Sequence, residues 1–204
     1  VTDRVVRIGV LALQGDFAKH IEMFAALPGV EPFPVRTVDE FRGADGLVIP
    51  GGESTTIGKL MERFGLLSAV REAGGAGLPI FGTCAGMILL AKEIRGSTQQ
   101  RLGLLSIEVA RNAYGRQIES FEADLAAPAL GAKPIRAVFI RAPQVVSTGP
   151  GVEVLASFED LPVLVRQGTL LAVNFHSELT DDTRLHEYFI SIVRDGTLSA
   201  GLVS

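Results

Sequence analysis

Leu78-Pro79-Ile80-Phe81-Gly82-Thr83-Cys84-Ala85-Gly86-Met87-Ile88-Leu89-Leu90 runs from a strand into a helix through the only cysteine of the chain. Apolar, strand-like residues end at Gly82, and apolar residues with good helix formers begin after Cys84. The cysteine therefore sits on a sharp strand-to-helix turn, with glycine two residues before and two after. That is a nucleophile elbow, G-x-C-x-G, with sulfur in place of hydroxyl. Such a turn brings backbones together and leaves little room for a Cβ. A helix N-terminus beside the sulfur favours the thiolate, which is the reactive form. An inert, buried thiol is the plainer reading of a lone cysteine, and the two glycines weigh against it.

Working outward, strands and helices alternate through the first half. Val5 to Leu13 reads as a buried first strand, and Phe17, Ile21, Phe24 and Ala25 recur at helical spacing after the Gln14-Gly15 loop. Glu31 to Val35 is a weaker strand. Gly46 to Ile49 is a short apolar strand stopped by Pro50-Gly51-Gly52, and Ser54 can cap a helix running toward Phe64. Such alternation implies a parallel sheet covered on both faces. In the second half, residues 104–109, 117–125, 137–140, 152–158, 162–166 and 169–174 all read as strands with short connections, several of them antiparallel. A last helix covers roughly 182–194, with Leu185, Phe189, Ile192 and Val193 on its apolar face. The expectation is an α/β fold in one domain over 1–204. Its mixed, mostly parallel central sheet carries helices on both faces in a flavodoxin-like three-layer arrangement.

Composition narrows the function classes. The 204 residues are nearly half hydrophobic and about one-fifth charged, as in a compact domain with a sizeable core. A net charge of −4 gives no electrostatic footprint for nucleic acid, and no apolar run is long enough to span a membrane. Val1-Thr2-Asp3-Arg4 leads straight toward a strand, so no signal peptide is expected. One cysteine excludes an internal disulfide and cysteine-cluster metal sites. A cytoplasmic location is the expectation, with no metal and no cofactor.

In open α/β sheets, sites lie beyond the C-terminal ends of strands. Three such ends carry chemistry: Pro50-Gly51-Gly52, Gly82-Thr83-Cys84 and Asn174-Phe175-His176. A cysteine nucleophile needs a base, and the base needs a group to orient it. Of the three histidines, His20 and His186 lie on the first and last helices and read as solvated or packed helix residues. His176 follows an apolar strand, with Glu178 two residues on. A carboxylate on one ring nitrogen leaves the other facing sulfur. Attack on an amide carbonyl also needs backbone donors for the oxyanion. The N–H groups of Ala85 and Gly52 are the candidates. Gly58-Lys59 resembles the end of a P-loop, but Leu60 stands where Ser or Thr is required and Glu53 where Gly is, so a phosphate-binding loop is rejected.

These residues carry a resemblance. Pro50-Gly51-Gly52-Glu53-Ser54, Gly82-Thr83-Cys84-Ala85-Gly86 and Phe175-His176-x-Glu178 resemble the class I, triad-type glutamine amidotransferases. More narrowly, the chain is similar to the glutaminase subunits of pyridoxal 5′-phosphate synthase. Further matches are Leu13-Gln14-Gly15-Asp16, Arg111-Asn112-x-Tyr114-Gly115-Arg116-Gln117, Ser120-Phe121-Glu122-Ala123-Asp124 and Phe139-Ile140-Arg141-Ala142-Pro143. Together they cover the chain almost end to end. The triad motifs specify the superfamily, and the Arg111 and Ile140 segments point to the vitamin B6 branch.

The resemblance implies hydrolysis of L-glutamine to L-glutamate and ammonia. The ammonia would pass to a separate synthase subunit that makes pyridoxal 5′-phosphate from ribose 5-phosphate and glyceraldehyde 3-phosphate, in a large heteromeric complex. By the family pattern Cys84 is the nucleophile, His176 the base and then the acid, and Glu178 its orienting group. Gly52, Glu53, Ser54, Arg111, Ile140 and Arg141 line the glutamine pocket, where an arginine suits the α-carboxylate. Gln14 is expected to order the oxyanion loop or the subunit contact. The family's logic also has partner docking complete the oxyanion site. One departure is Ser177, where the family usually has proline; serine keeps the spacing and removes the φ restraint. On the residues alone, an amidotransferase subunit of another synthase, a stand-alone cysteine hydrolase and a non-catalytic module stay open.

Overall fold

A computed structural model describes residues 4–111 and 120–200. In chain order the first half holds β1 (Val6–Leu11), α1 (Phe17–Ala25), β2 (Val30–Val35), α2 (Val38–Phe41), β3 (Gly46–Ile49), α3 (Ser54–Arg63), α4 (Leu66–Gly75), β4 (Ile80–Thr83) and α5 (Ala85–Leu90). The second half holds β5 (Ala91–Ile94), β6 (Leu105–Ala110), β7 (Ser120–Leu125), β8 (Ile135–Ile140), β9 (Gln144–Thr148), β10 (Glu153–Phe158), β11 (Leu161–Gln167), β12 (Leu170–Val173) and α6 (Arg184–Ala200). Single 3-10 turns cover Pro128–Leu130 and Ser177–Leu179.

The central sheet has seven strands in the order β10-β11-β12-β4-β3-β1-β2. The five from β12 to β2 are parallel, and β10 and β11 extend the edge antiparallel. The chain thus returns to the main sheet before the last helix, as the sequence implies. A three-stranded sheet (β5-β6-β9) and the β7-β8 hairpin stand apart from it.

Alternation along the strands decides what covers each face. Leu47 and Ile49 of β3, Ile80 of β4, and Leu170 and Ala172 of β12 face one way, onto Ile57 and Met61 of α3, Leu66 and Val70 of α4, and α5. Val48, Phe81, Leu171 and Val173 face the other way, onto Phe24 of α1 and Leu185, Phe189 and Val193 of α6. Two cores on opposite faces make the α/β layering expected from the sequence. This packing, and not helix propensity, holds the short helices. The nine-residue α1 has no side-chain cap at Asp16 and is too short to persist alone. Burying a side chain such as Phe24, fully enclosed here, stabilises by about 1.5–3 kcal/mol.

Register brings the functional ends together. Ile49 pairs with Gly82 and Thr83 with Val173, so the segments after β3, β4 and β12 leave from one edge of the sheet. At that edge Cys84 turns the chain with φ 49° and ψ −101°, a conformation that strains any residue with a Cβ. A Cβ at residue 82 would lie 2.6 Å from the carbonyl carbon of Gly86, and one at residue 86 would collide with the carbonyl oxygen of Ile49. The two glycines are therefore the condition for seating α5 on β3 and β4.

Several details differ from the sequence reading. The N-cap of α3 is Glu53, whose carboxylate accepts from the N–H groups of Thr55 and Thr56. Ser54 is the first helical residue and is buried. Elements α2, α4, β5 and β9 were not anticipated. The strand expected over 117–125 is seen from Ser120; residues 117–119, and the motif residues Asn112, Tyr114, Gly115, Arg116 and Gln117, lie outside the described residues. Among the described residues no helix is long and apolar enough to cross a membrane.

Gly86→Ala forces a methyl group into β3 backbone, which costs about 1–3 kcal/mol or more. A thermal melt is expected to show the midpoint lowered by several degrees; an unchanged midpoint contradicts the close-approach argument.

Candidate active site

Cys84, His176 and Glu178 meet at the shared strand edge. The Cys84 amide is tied to β12 through Val173 O at 2.8 Å, and the sulfur faces Ile140 O at 3.9 Å. His176 leaves β12 with its backbone N–H donating to Val138 O of β8. Its Nδ1 lies 2.7 Å from Glu178 Oε1, and Cys84 is close enough to act on the ring's pKa. Carboxylate, imidazole and sulfur therefore form a continuous line. All three residues are at least nine-tenths buried, Glu178 most of all.

Burial is the largest single influence on His176 and pushes its pKa down. Hydrogen bonds with Cys84 and Glu178, with the charges of both, outweigh it and raise the value to about 10. The imidazole thus keeps its proton through the neutral range, because its interactions with Glu178 and Cys84 favour the cation.

A pocket of about 440 Å³ opens beside the sulfur, lined by Gly52, Glu53, Ser54, Cys84, Ile88, Arg111, Ile140, Arg141 and His176. Every residue expected to touch glutamine is among them. Ile88, one turn into α5, is an addition; its place inside an apolar helix gave no sign of it. Arg141 joins Cys84 among the few non-glycine residues with positive φ, at 44°, so two strained residues face one pocket.

Arg111 is held at the rim by Thr55 Oγ1 (3.1 Å), Gln99 Oε1 (2.7 Å) and Glu53 Oε1 (3.4 Å). Gln99, which the sequence reading missed, also donates to Ser54 Oγ at 3.1 Å. It bridges the start of α3 and Arg111, and an uncharged residue in a loop carries no sequence signal for that. Burial pushes the Glu53 carboxyl up, but the Thr56 hydroxyl and the Thr55 and Thr56 amides hold it down at about 2. Glu53 therefore faces the pocket as an anion.

Gln14 and Ala85 stand just outside the pocket lining. Gln14 Oε1 accepts from the Glu53 amide at 2.8 Å, and the Asp16 amide donates to Gly51 O at 3.1 Å. The loop after β1 thus clamps the loop after β3. Gly51 lies against the His176 ring; a Cβ there would collide with His176 Cε1. The Ala85 amide opens α5, where the first N–H groups have no partner within the helix.

The sequence reading set His20 and His186 aside. Both are fully buried. His20 Nδ1 lies 3.1 Å from His186 Nε2, and His20 Nε2 lies 3.2 Å from Thr83 Oγ1 and 3.5 Å from Glu178 Oε2. A histidine sharing the apolar face of α1 with Phe17 and Phe24 was the available signal. Among the described residues no group of three or more His, Cys, Asp or Glu could hold a metal ion.

Ser177 opens the 3-10 turn that carries Glu178. Its hydroxyl is buried without a hydrogen-bond partner. Proline is favoured at a first helical position, and His176 before it already has extended backbone, φ −102° and ψ 91°, as proline requires of its predecessor.

Comparison with known proteins finds relatives over most of the chain. The family described as SNO glutamine amidotransferase matches residues 10–195. A protein from Moorella thermoacetica named pyridoxal 5′-phosphate synthase subunit PdxT is 56% identical over 188 residues, covering 92% of this chain and 100% of that protein. One of the same name from Pelotomaculum thermopropionicum is 57% identical over 185 residues, 91% of this chain and 94% of its own length. A crystal structure described as a glutamine amidotransferase superposes with a TM-score of 0.87 at 53% identity, covering 91% of this chain and 98% of that one.

Two outcomes follow from the site. Ser177→Pro is expected to match or exceed the parent activity and to raise stability by about 0.5–1 kcal/mol; a collapse of glutamate release would show that the turn cannot take a proline. Activity is expected to fall as pH rises through about 10, where His176 loses its proton. Glu178→Gln removes a charge that raises that value, so its alkaline limb moves to lower pH and kcat drops about 100-fold or more. A pH–rate profile with an unmoved limb contradicts the assignment.

Proposed function

Because this chain belongs to the SNO glutamine amidotransferase family, we propose that it is the glutaminase of a pyridoxal 5′-phosphate synthase, with Cys84, His176 and Glu178 as its triad. It hydrolyses L-glutamine to L-glutamate and ammonia as a subunit serving vitamin B6 biosynthesis. A separate synthase subunit takes the ammonia and builds pyridoxal 5′-phosphate from ribose 5-phosphate and glyceraldehyde 3-phosphate. The observation that carries the division of labour is the unbroken line from Glu178 Oε1 through His176 to Cys84, beside a pocket lined by all the expected glutamine contacts.

In this reading the Cys84 thiolate attacks the γ-carboxamide carbon of glutamine. The amides of Ala85 and Gly52 receive the negative charge that develops on the oxygen. The imidazolium of His176 protonates the departing nitrogen, the C–N bond breaks, and ammonia leaves a γ-glutamyl thioester. Neutral His176 then takes a proton from water as the hydroxide adds to the thioester. Collapse breaks the C–S bond, releases glutamate and restores the thiolate–imidazolium pair. Glu178 keeps one ring tautomer and orientation throughout. Arg111 and Arg141 take the α-carboxylate of glutamine, Glu53 its α-ammonium group, and Ser54 and Ile140 close the sides.

Gln14 is the link to regulation. Its hold on the Glu53 amide sets the course of the Gly51-Gly52 loop. A contact that shifts this clamp changes the population of loops with a donor aimed at the oxyanion. Docking of the synthase subunit supplies that contact in a large assembly. A thiolate nucleophile suits a reducing compartment, and the cytoplasm is the location that fits.

The test is glutamate release from glutamine, with and without the cognate synthase subunit, for the parent and Cys84→Ala. Partner-stimulated release that the variant abolishes is the expected result. Folded parent protein that releases no glutamate in either mixture overturns the reading.

A further inference from the structure

The triad's carboxylate has a second face that the reaction as written leaves unused. Glu178 Oε1 is committed to His176. Oε2 is fully buried and makes no hydrogen bond, and the ring nitrogen Nε2 of His20 stands 3.5 Å from it. We propose that His20 is a positioning residue for the glutaminase, directing its Nε2–H between Thr83 and Glu178 Oε2 and so fixing the plane of the carboxylate that orients His176. This deepens the functional reading above and rests on it.

Chemistry settles the direction of the hydrogen bonds. A carboxylate oxygen only accepts. A lone pair on His20 Nε2 would face that oxygen unfavourably, so Nε2 carries the proton. His20 is neutral, because full burial and the neighbouring His186 and His176 push its pKa well down. Its Nδ1 is therefore an acceptor, and the partner 3.1 Å away, His186 Nε2, must donate. His186 is neutral as well, held at about 4 chiefly by burial, with Asp182 acting in the opposite direction. Its Nδ1 is then a bare lone pair, in keeping with its place among the buried atoms that lack a partner. One constraint, an anion at Glu178, thus sets both tautomers.

The surroundings keep this arrangement dry. The His186 ring packs edge-on against Phe24 at 4.8 Å and Phe81 at 5.9 Å, and His20 lies edge-on to Phe81 at 6.1 Å. The groups facing His20 are His186 from α6, Thr83 and Phe81 from β4, and Glu178 and His176 from the segment after β12. A neutral donor anchors the carboxylate without cancelling its charge, which a histidinium there would do. The full negative charge stays available to the His176 imidazolium. Because Thr83 precedes Cys84, the same N–H also ties the carboxylate to the elbow.

Two measurements test this. Nitrogen NMR of the parent protein is expected to show His20 protonated at Nε2 and bare at Nδ1; the opposite tautomer, or a cationic ring at neutral pH, overturns the proposal. In glutamate release with the synthase subunit present, His20→Leu is expected to lower kcat about 10- to 100-fold, as loss of a group that orients a reactive side chain does. KM stays within about twofold, and the alkaline limb moves to lower pH. His20→Gln, whose amide N–H reaches the same region, restores most of that loss. Equal loss in both variants, or a lowered melting temperature with kcat and the alkaline limb unmoved, overturns the proposal. If the parent itself releases no glutamate, the functional reading fails, and the tautomer still decides the placement of His20.

Discussion

The structure depends on one backbone reversal, the turn at Cys84. A residue with a Cβ is held at φ 49° and ψ −101°, and such strain persists only when the surroundings over-determine it. Here they do. The amide of Cys84 is tied to β12, β4 is paired on both sides, and α5 is wholly buried. Gly86 meets the carbonyl of Ile49 with no room for a methyl group. The sulfur is thereby aimed at the sheet edge where the segments after β3 and β12 also emerge. The rest of the site is assembled around a fixed point and not around a mobile loop.

Electrostatics then works inside an apolar shell. Glu178 is buried beside His176 and His20, with His186 behind His20, and their environments assign the three histidines different states. His176 has Glu178 and Cys84 acting on it and holds its proton to about 10. His20 and His186 lie among phenylalanines and are pushed to the neutral form. Sharing of one carboxylate between a cationic and a neutral imidazole follows from burial and charge alone, since the side chains are chemically the same. The aromatic packing that separates these environments also joins α1 and α6 to the sheet, so core and catalytic support are built from the same residues.

The second half of the chain supplies the wall facing the elbow. The β7-β8 hairpin is anchored by the stacked pair Phe121 and Phe139 at 4.5 Å, with Phe158 and Phe175 against it. That anchoring brings Ile140 and Arg141 over Cys84. From β6 comes Arg111, fastened by Gln99, Thr55 and Glu53 to the start of α3. The rim is more polar and more exposed than the floor: Ile140 is 37% exposed, whereas Cys84 is 8%. The polar rim is thus open to solvent, and Cys84, His176 and Glu178 lie beneath it.

The amino-acid sequence by itself determined the layered α/β class, the elbow, and the pairing of His176 with Glu178 two residues on. Each depends on short-range information: strand alternation, glycines at fixed offsets, and a base with its orienting carboxylate two residues apart. Elements whose boundaries lack such marks were not legible. β5 follows α5 with no turn residue between Leu90 and Ala91, and α4 ends in glycines that disguise its apolar face. Glu53 displaced Ser54 as the cap because its longer side chain reaches two amides at once. Only the tertiary structure decided that His20, on a helix more than 150 residues earlier in the chain, backs Glu178. The same holds for Gln99 bracing Arg111 and for Gln14 clamping the loop at Gly51-Gly52. These are pairings between elements distant in sequence. Sheet register and helix packing bring them together, and no local pattern of residues encodes that meeting.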